Sequence, residues 1–224
     1  MKHLSRNLKD ERLSARTGSA MPRTRSCMLG NMSGFDIAVS IALGVGLAAA
    51  TGLRVFLPLL VASVAAYTGH LQLSDNFVWL GTLPAVVMLC IAALIEVLAY
   101  YIPAVDNLLD TITTPAALVA GTLVAAATIT NLPPVVKWAT AIIAGGGVAG
   151  ITQATTALLR AKSTVMTGGV GNPVLSTLEL VGALLLAVLA LVAPLLAVVL
   201  VVAFFVFAVR ITRKAFNRSG NRSA

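Results

Sequence analysis

174-VLSTLELVGALLLAVLALVAPLLAVVLVVAFFVFAVRIT-212 runs for 39 residues with one acidic group, Glu179, and no basic group before Arg210. As one straight helix it would be about 59 Å long at 1.5 Å per residue, roughly twice the hydrocarbon thickness of a bilayer. Two crossings joined by a tight hairpin near Ala193-Pro194 resolve the excess. A run of this kind has no place on the surface of a soluble domain.

The rest of the chain agrees. Of 224 residues, 58% are hydrophobic and 11% charged, against about a quarter charged in soluble domains. Six apolar runs, at about 36–68, 78–102, 114–131, 135–159, 174–192 and 195–212, predict an all-α integral membrane protein with about six transmembrane helices. Runs of this length span as helices and exclude a β-barrel. The first run is too long for a single upright helix, so a break is expected at Thr51-Gly52 or at the Leu57-Pro58 step.

The net charge of +8 does not indicate nucleic-acid binding, because twelve of the 16 basic residues lie before residue 34 or after residue 209. Between those tails stand Arg54, Lys137, Arg160 and Lys162 against six acidic residues. Three segments follow: a basic N-terminal extension over 1–33, expected to be disordered and containing Met21, Met28 and Met32 as internal starts; one helical membrane domain over 34–212; and a basic tail over 213–224. The distribution of positive charge places both termini and the Arg160/Lys162 loop on the cytoplasmic side of a bacterial inner membrane. Cys27 and Cys90 are far apart, as are His3 and His70, so no metal, cofactor or disulfide framework is expected.

An offset of 101 residues lays 41-IALGVGLAAAT-51 over 142-IIAGGGVAGIT-152, matching Gly44 with Gly145, Gly46 with Gly147, Ala48 with Ala149 and Thr51 with Thr152. One reading is two inverted three-helix halves, with helices broken near Gly52 and Asn172. The other is that small residues recur wherever membrane helices pack closely.

Inside this apolar framework a few polar residues stand out. Glu96, in 96-EVLAYYIPAVDNLLD-110, lies within a crossing and shares a helix face with Tyr100, four residues on. Asp106 is placed to cap a short helix over 107–112, with Asp110 on the same face, and Thr114-Pro115 reads as the start of the next crossing. In 167-TGGVGNPVLSTLE-179 the glycines loosen the backbone, Asn172 is placed to cap, and Glu179 follows about 9 Å into a helix. Arg54 is the basic residue deepest in an apolar run and calls for an acidic partner in Glu96, Glu179 or Asp110. Gln153, Thr156 and Arg160 share one helix face, as lining of a pathway or as glue between helices.

From Leu43 to Leu200, through 50-ATGLRVFLPLL-60, 96-EVLAYYIPAVDNLLDTITTP-115, 118-LVAGTL-123, 143-IAGGGVAG-150 and 167-TGGVGNPVLSTLE-179, the chain resembles a bacterial membrane-protein family catalogued as domain of unknown function 4126. The resemblance implies a small multispanning inner-membrane protein and no particular activity.

For function, the expectation is a small transporter or permeation protein, proton- or cation-linked. Its pathway would carry Glu96, Glu179, Arg54, Asp110, Asn172, Gln153 and Tyr100, and its partners would be the bilayer and a small solute, ion or lipid. The alternative is a scaffold, binding lipid or protein, whose buried charges pair only to hold helix register. The residues contain no Ser/His/Asp set or nucleophile elbow that would argue for an enzyme.

Overall fold

The computed structural model describes residues 34–130, 132–168 and 170–220, with residues 103–110, 207–209 and 211–220 described by their backbone alone. The extension over 1–33 lies outside the described residues. Among the described residues every regular element is helical: α1 (Gly34–Thr51), α2 (Phe56–Tyr67), a 3-10 segment (Asp75–Gly81), α3 (Leu83–Ala99), α4 (Pro103–Thr128), α5 (Pro134–Thr167), α6 (Asn172–Val192) and α7 (Pro194–Gly220). Four of these are long and apolar enough to cross a membrane. A fifth crossing is added if the 3-10 segment and α3, bent by 69° at Thr82, count as one.

The first apolar run breaks where Gly52 stands, between Thr51 and Phe56. Pro58, the other expected breaking point, falls in the first turn of α2, where a missing N–H costs nothing. At 12 residues α2 is about 18 Å long. It turns back through the 3-10 segment and packs against α3, tied by the Ser63 hydroxyl donating to the Leu80 carbonyl at 2.5 Å.

Two boundary expectations are corrected. Thr114-Pro115 does not open a helix: α4 starts at Pro103, with Ile102 as its N-cap, and continues through Pro115 to Thr128. Asp106 therefore lies inside the first turns of α4, and the separate capped helix over 107–112 is absent. A local start signal was overridden because the backbone freed by a helix proline can be satisfied by neighbouring helices. At the C-terminal end the hairpin at Ala193 is found as expected, but α7 runs on to Gly220, past the anticipated end at residue 212.

Helix α5 is one 34-residue element. Residues Ala141–Gly146 within it are wound as a π-helix, which offsets the side chains beyond by about one residue, or 100°. That offset turns Ala149, Thr152, Gln153, Thr156 and Arg160 inward, and all five are buried.

Small residues fill the centre. Leu47, Ala48, Ala50, Ala62, Val124, Ala187, Ala190 and Ala197 form its main cluster, so backbones approach closely and dispersion contacts carry the packing. Gly44 and Gly145, matched by the 101-residue offset, both approach Ala125 of α4: a Cβ on Gly44 would lie 3.2 Å from its Cα. A Cβ on Gly52 would lie 2.4 Å from the Ala149 carbonyl oxygen and 2.5 Å from Thr152 Cβ; one on Gly145 would lie 2.5 Å from Ala125 Cβ. Gly44, Gly46 and Gly145 of the offset segments are thus spent on helix contact, whereas Gly147 stands in open space.

Candidate functional site

The break between α1 and α2 removes intrahelical partners from the amides that begin α2. Glu96, near the C-terminal end of α3, supplies them. Its Oε1 accepts from the Val55 N–H at 2.7 Å and its Oε2 from the Phe56 N–H at 3.0 Å. A carboxylate bridging two amides at a helix start meets both the hydrogen-bonding need and the positive end of the helix dipole. Glu96 is thus an N-cap supplied from a different helix, and among the described residues no Lys or Arg nitrogen lies within 4.0 Å of it.

Arg54 sits in the break itself and is 1% exposed. Its Nη2 donates to the Ser176 carbonyl at 2.8 Å, and its guanidinium carbon stands 3.9 Å from the centroid of the Tyr100 ring. The remaining donors at Nε and Nη1 are buried with no hydrogen-bond partner among the described residues, as is the Ser176 hydroxyl. Among the described residues the acidic partner anticipated for Arg54 is not found: neither Glu96 nor Glu179 forms an ion pair with it, and the side chain of the third candidate, Asp110, lies outside the described residues.

Glu179 is instead held by Arg160. The Arg160 Nε donates to Glu179 Oε1 at 3.2 Å and Nη2 donates to Oε2, a two-point ion pair joining α5 to α6 with both residues buried. Sequence spacing explains the meeting, since each residue is about two turns from the 168–171 bend and on an inward face. The Arg160 guanidinium carbon lies 4.2 Å from the same Tyr100 ring. Tyr100 is therefore a common platform for both arginines, a cation–π arrangement that strengthens when desolvated. Its hydroxyl donates to Thr113 Oγ1 at 3.3 Å, and Gln153 Nε2 donates to the same oxygen at 2.9 Å.

Among the residues singled out from the sequence, Arg54, Glu96, Tyr100, Gln153, Asn172 and Glu179 are all buried. Arg54, Glu96, Tyr100 and Glu179 join through these contacts, with Gln153 attached by Thr113. Asn172 stands apart from its expected capping role: Gly171 is the N-cap of α6, and Asn172 Nδ2 reaches back to Thr164 Oγ1 at 3.0 Å. The backbone near residue 172 forms a bend between α5 and α6, with Gly168 left-handed at φ +65°, and not an interruption inside a helix. The Asp110 side chain lies outside the described residues.

Arg160 as the partner of Glu179, and Ser176 as the partner of Arg54, were missed as site residues. Their signals were present but faint. Arg160 closes the polar stripe that begins at Gln153, and Ser176 precedes Glu179 by three residues on the same helix face. A second polar feature lies at the far end of α2, a recess of about 470 Å³ whose lining includes Ser74, Asp75, Thr130 and Lys137. Lys137 Nζ donates there to Ser74 Oγ at 3.2 Å.

A family model described as Domain of unknown function (DUF4126) matches residues 41–214, which include every residue of the cluster. No curated protein and no solved structure matches the chain.

Proposed function

We propose for this chain, which belongs to the family described as Domain of unknown function (DUF4126), a role as a small membrane transport protein whose solute passes the buried charged cluster and whose coupling proton is carried by Glu96. The observation that carries this reading is Arg54: a guanidinium 1% exposed, in a helix break, with hydrogen-bonding capacity left unspent. Ionisable groups inside an apolar bundle are costly and mark ion or substrate pathways. Broken helices at such groups are the usual way transporters present backbone amides and charge to a solute. The carboxylates divide the work, Glu179 neutralising Arg160 and Glu96 remaining free of any close cation.

Purified protein in liposomes with an entrapped pH-reporting dye tests the reading against a panel of imposed solute gradients. Wild type is expected to move protons with at least one solute, and Glu96→Gln to stop that movement while remaining folded. Normal flux in Glu96→Gln refutes the mechanism, whatever Glu179→Gln does.

The same geometry favours a second reading, in which Glu96 serves as a cap, the Arg160–Glu179 pair fixes register, and the protein is a lipid- or partner-binding scaffold. Its observation is the pair of amide bonds to Glu96, a complete structural use of that carboxylate. It predicts no flux under any gradient, and a loss of stability in Glu96→Gln.

A further inference from the structure

We infer that the break between α1 and α2 is an anion site which Glu96 fills as an internal anion, and which passes to a small monovalent anion of carboxylate size when Glu96 takes up a proton. The inference rests on the transport reading and names the class of its solute.

The site has two independent parts. One is the start of α2, where the Val55 and Phe56 amides point at a single carboxylate, 2.7 and 3.0 Å away. Amides at the start of a helix bind anions of any origin, since they offer donors and a positive dipole end together. The other is Arg54, adjacent in the chain to Val55. Its Nε and Nη1 carry three of the five guanidinium N–H groups, all buried and without partners, and the Ser176 hydroxyl beside it is in the same condition. A buried guanidinium with unused donors is an unmet demand for an anion.

Charge counting makes the exchange specific. Among the described residues the charged groups that act on Glu96 are Arg54 from the break and Arg160 from α5, with Glu179 committed to Arg160 and Tyr100 lying under both guanidinium groups. Placing a proton on Glu96 converts its carboxylate into a neutral carboxyl and removes one negative charge, which a single monovalent anion restores. Proton and anion enter together, so no net charge moves. The donors of Arg54 have essentially no accessible surface in this arrangement, which limits the incoming anion to about the size of the carboxylate it replaces.

The test uses the full-length protein in detergent and formate as the probe, with gluconate at equal ionic strength as the bulky control, read by thermal unfolding and by titration calorimetry as pH is lowered. Wild type is expected to bind formate more tightly as pH falls, by up to about tenfold per unit, because one proton accompanies each anion. Glu96→Gln is expected to bind formate without that pH slope, and Arg54→Gln to bind at least about tenfold more weakly than wild type. If Arg54→Gln does not fold, Arg54→Lys keeps the charge, loses the planar donors and is expected to weaken binding in the same direction. Formate behaving like gluconate in both acidified wild type and Glu96→Gln overturns the inference. In the liposome assay, proton flux without formate binding rejects this site and keeps transport. Formate binding without any proton flux keeps the site and rejects transport.

Discussion

Gly52→Ala isolates the close approach that positions the cluster. The new Cβ would meet the Ala149 carbonyl oxygen at 2.4 Å, Thr152 Cβ at 2.5 Å and the Gln153 amide nitrogen at 3.1 Å. Carbon contacts settle at about 3.5–4.0 Å, so α5 must recede by about 1 Å from the break. Two of the three obstructing atoms are backbone, which leaves no side-chain rotation to absorb the displacement. Overpacking of this kind costs about 1–3 kcal/mol, and Gly52 lies outside any helix, so the helix-propensity gain of alanine does not offset it. Gly147→Ala is the control, because its Cβ would meet nothing within 4 Å and helix propensity favours alanine there by up to about 1 kcal/mol. At about 2–4 °C per kcal/mol for a chain of this length, Gly52→Ala should melt several degrees below wild type and Gly147→Ala at or above it. Thermal unfolding of the purified protein in detergent reads both. The reasoning fails if Gly52→Ala melts with wild type, or if Gly147→Ala is the more damaged.

Two further outcomes follow from the same contacts. Arg160→Met and Glu179→Leu should each destabilise by about 3–5 kcal/mol, since each leaves a buried charge without its two-point partner. The double variant should lose at least about 1 kcal/mol less than the singles combined, and additivity in the melting cycle would mean that the pair carries no coupling. Gly168→Ala should cost about 1–2 kcal/mol because φ is +65° there, whereas Gly168→Asn should cost less. Equal melting of those two variants would show that backbone conformation is not what selects glycine at this bend.

What was legible in the sequence is what depends on one stretch at a time. The apolar runs disclosed the helical membrane class, Gly52 marked a break, Ala193-Pro194 marked a hairpin, and the cost of burying Glu96, Glu179 and Arg54 marked them as residues to follow. What was not legible depends on two stretches meeting. Glu96 and Arg54 are opposite charges on neighbouring elements, so an ion pair was the natural expectation. The structure instead gives Glu96 to the amides of Val55 and Phe56, because a helix start in an apolar bundle has stronger need of an acceptor than a guanidinium that already rests on Tyr100. Arg160 looked like an interfacial positive charge until the length of α5 and its π-helical stretch carried it inside. Thr114-Pro115 carries a genuine helix-start signal that its neighbours override.

The cap supplied by Glu96 also bears on how the chain is assembled. Val55 and Glu96 are 41 residues apart, so during synthesis the start of α2 emerges long before the carboxylate that completes it. Bare amides in hydrocarbon cost several kcal/mol each, and a helix of about 18 Å is too short to cross on its own. The half-helix is therefore unfit to enter the bilayer by itself and must wait for α3, so that α2 and α3 go in as one unit. The order of assembly is thus written into a side chain: the start of α2 is satisfied only when α3 arrives.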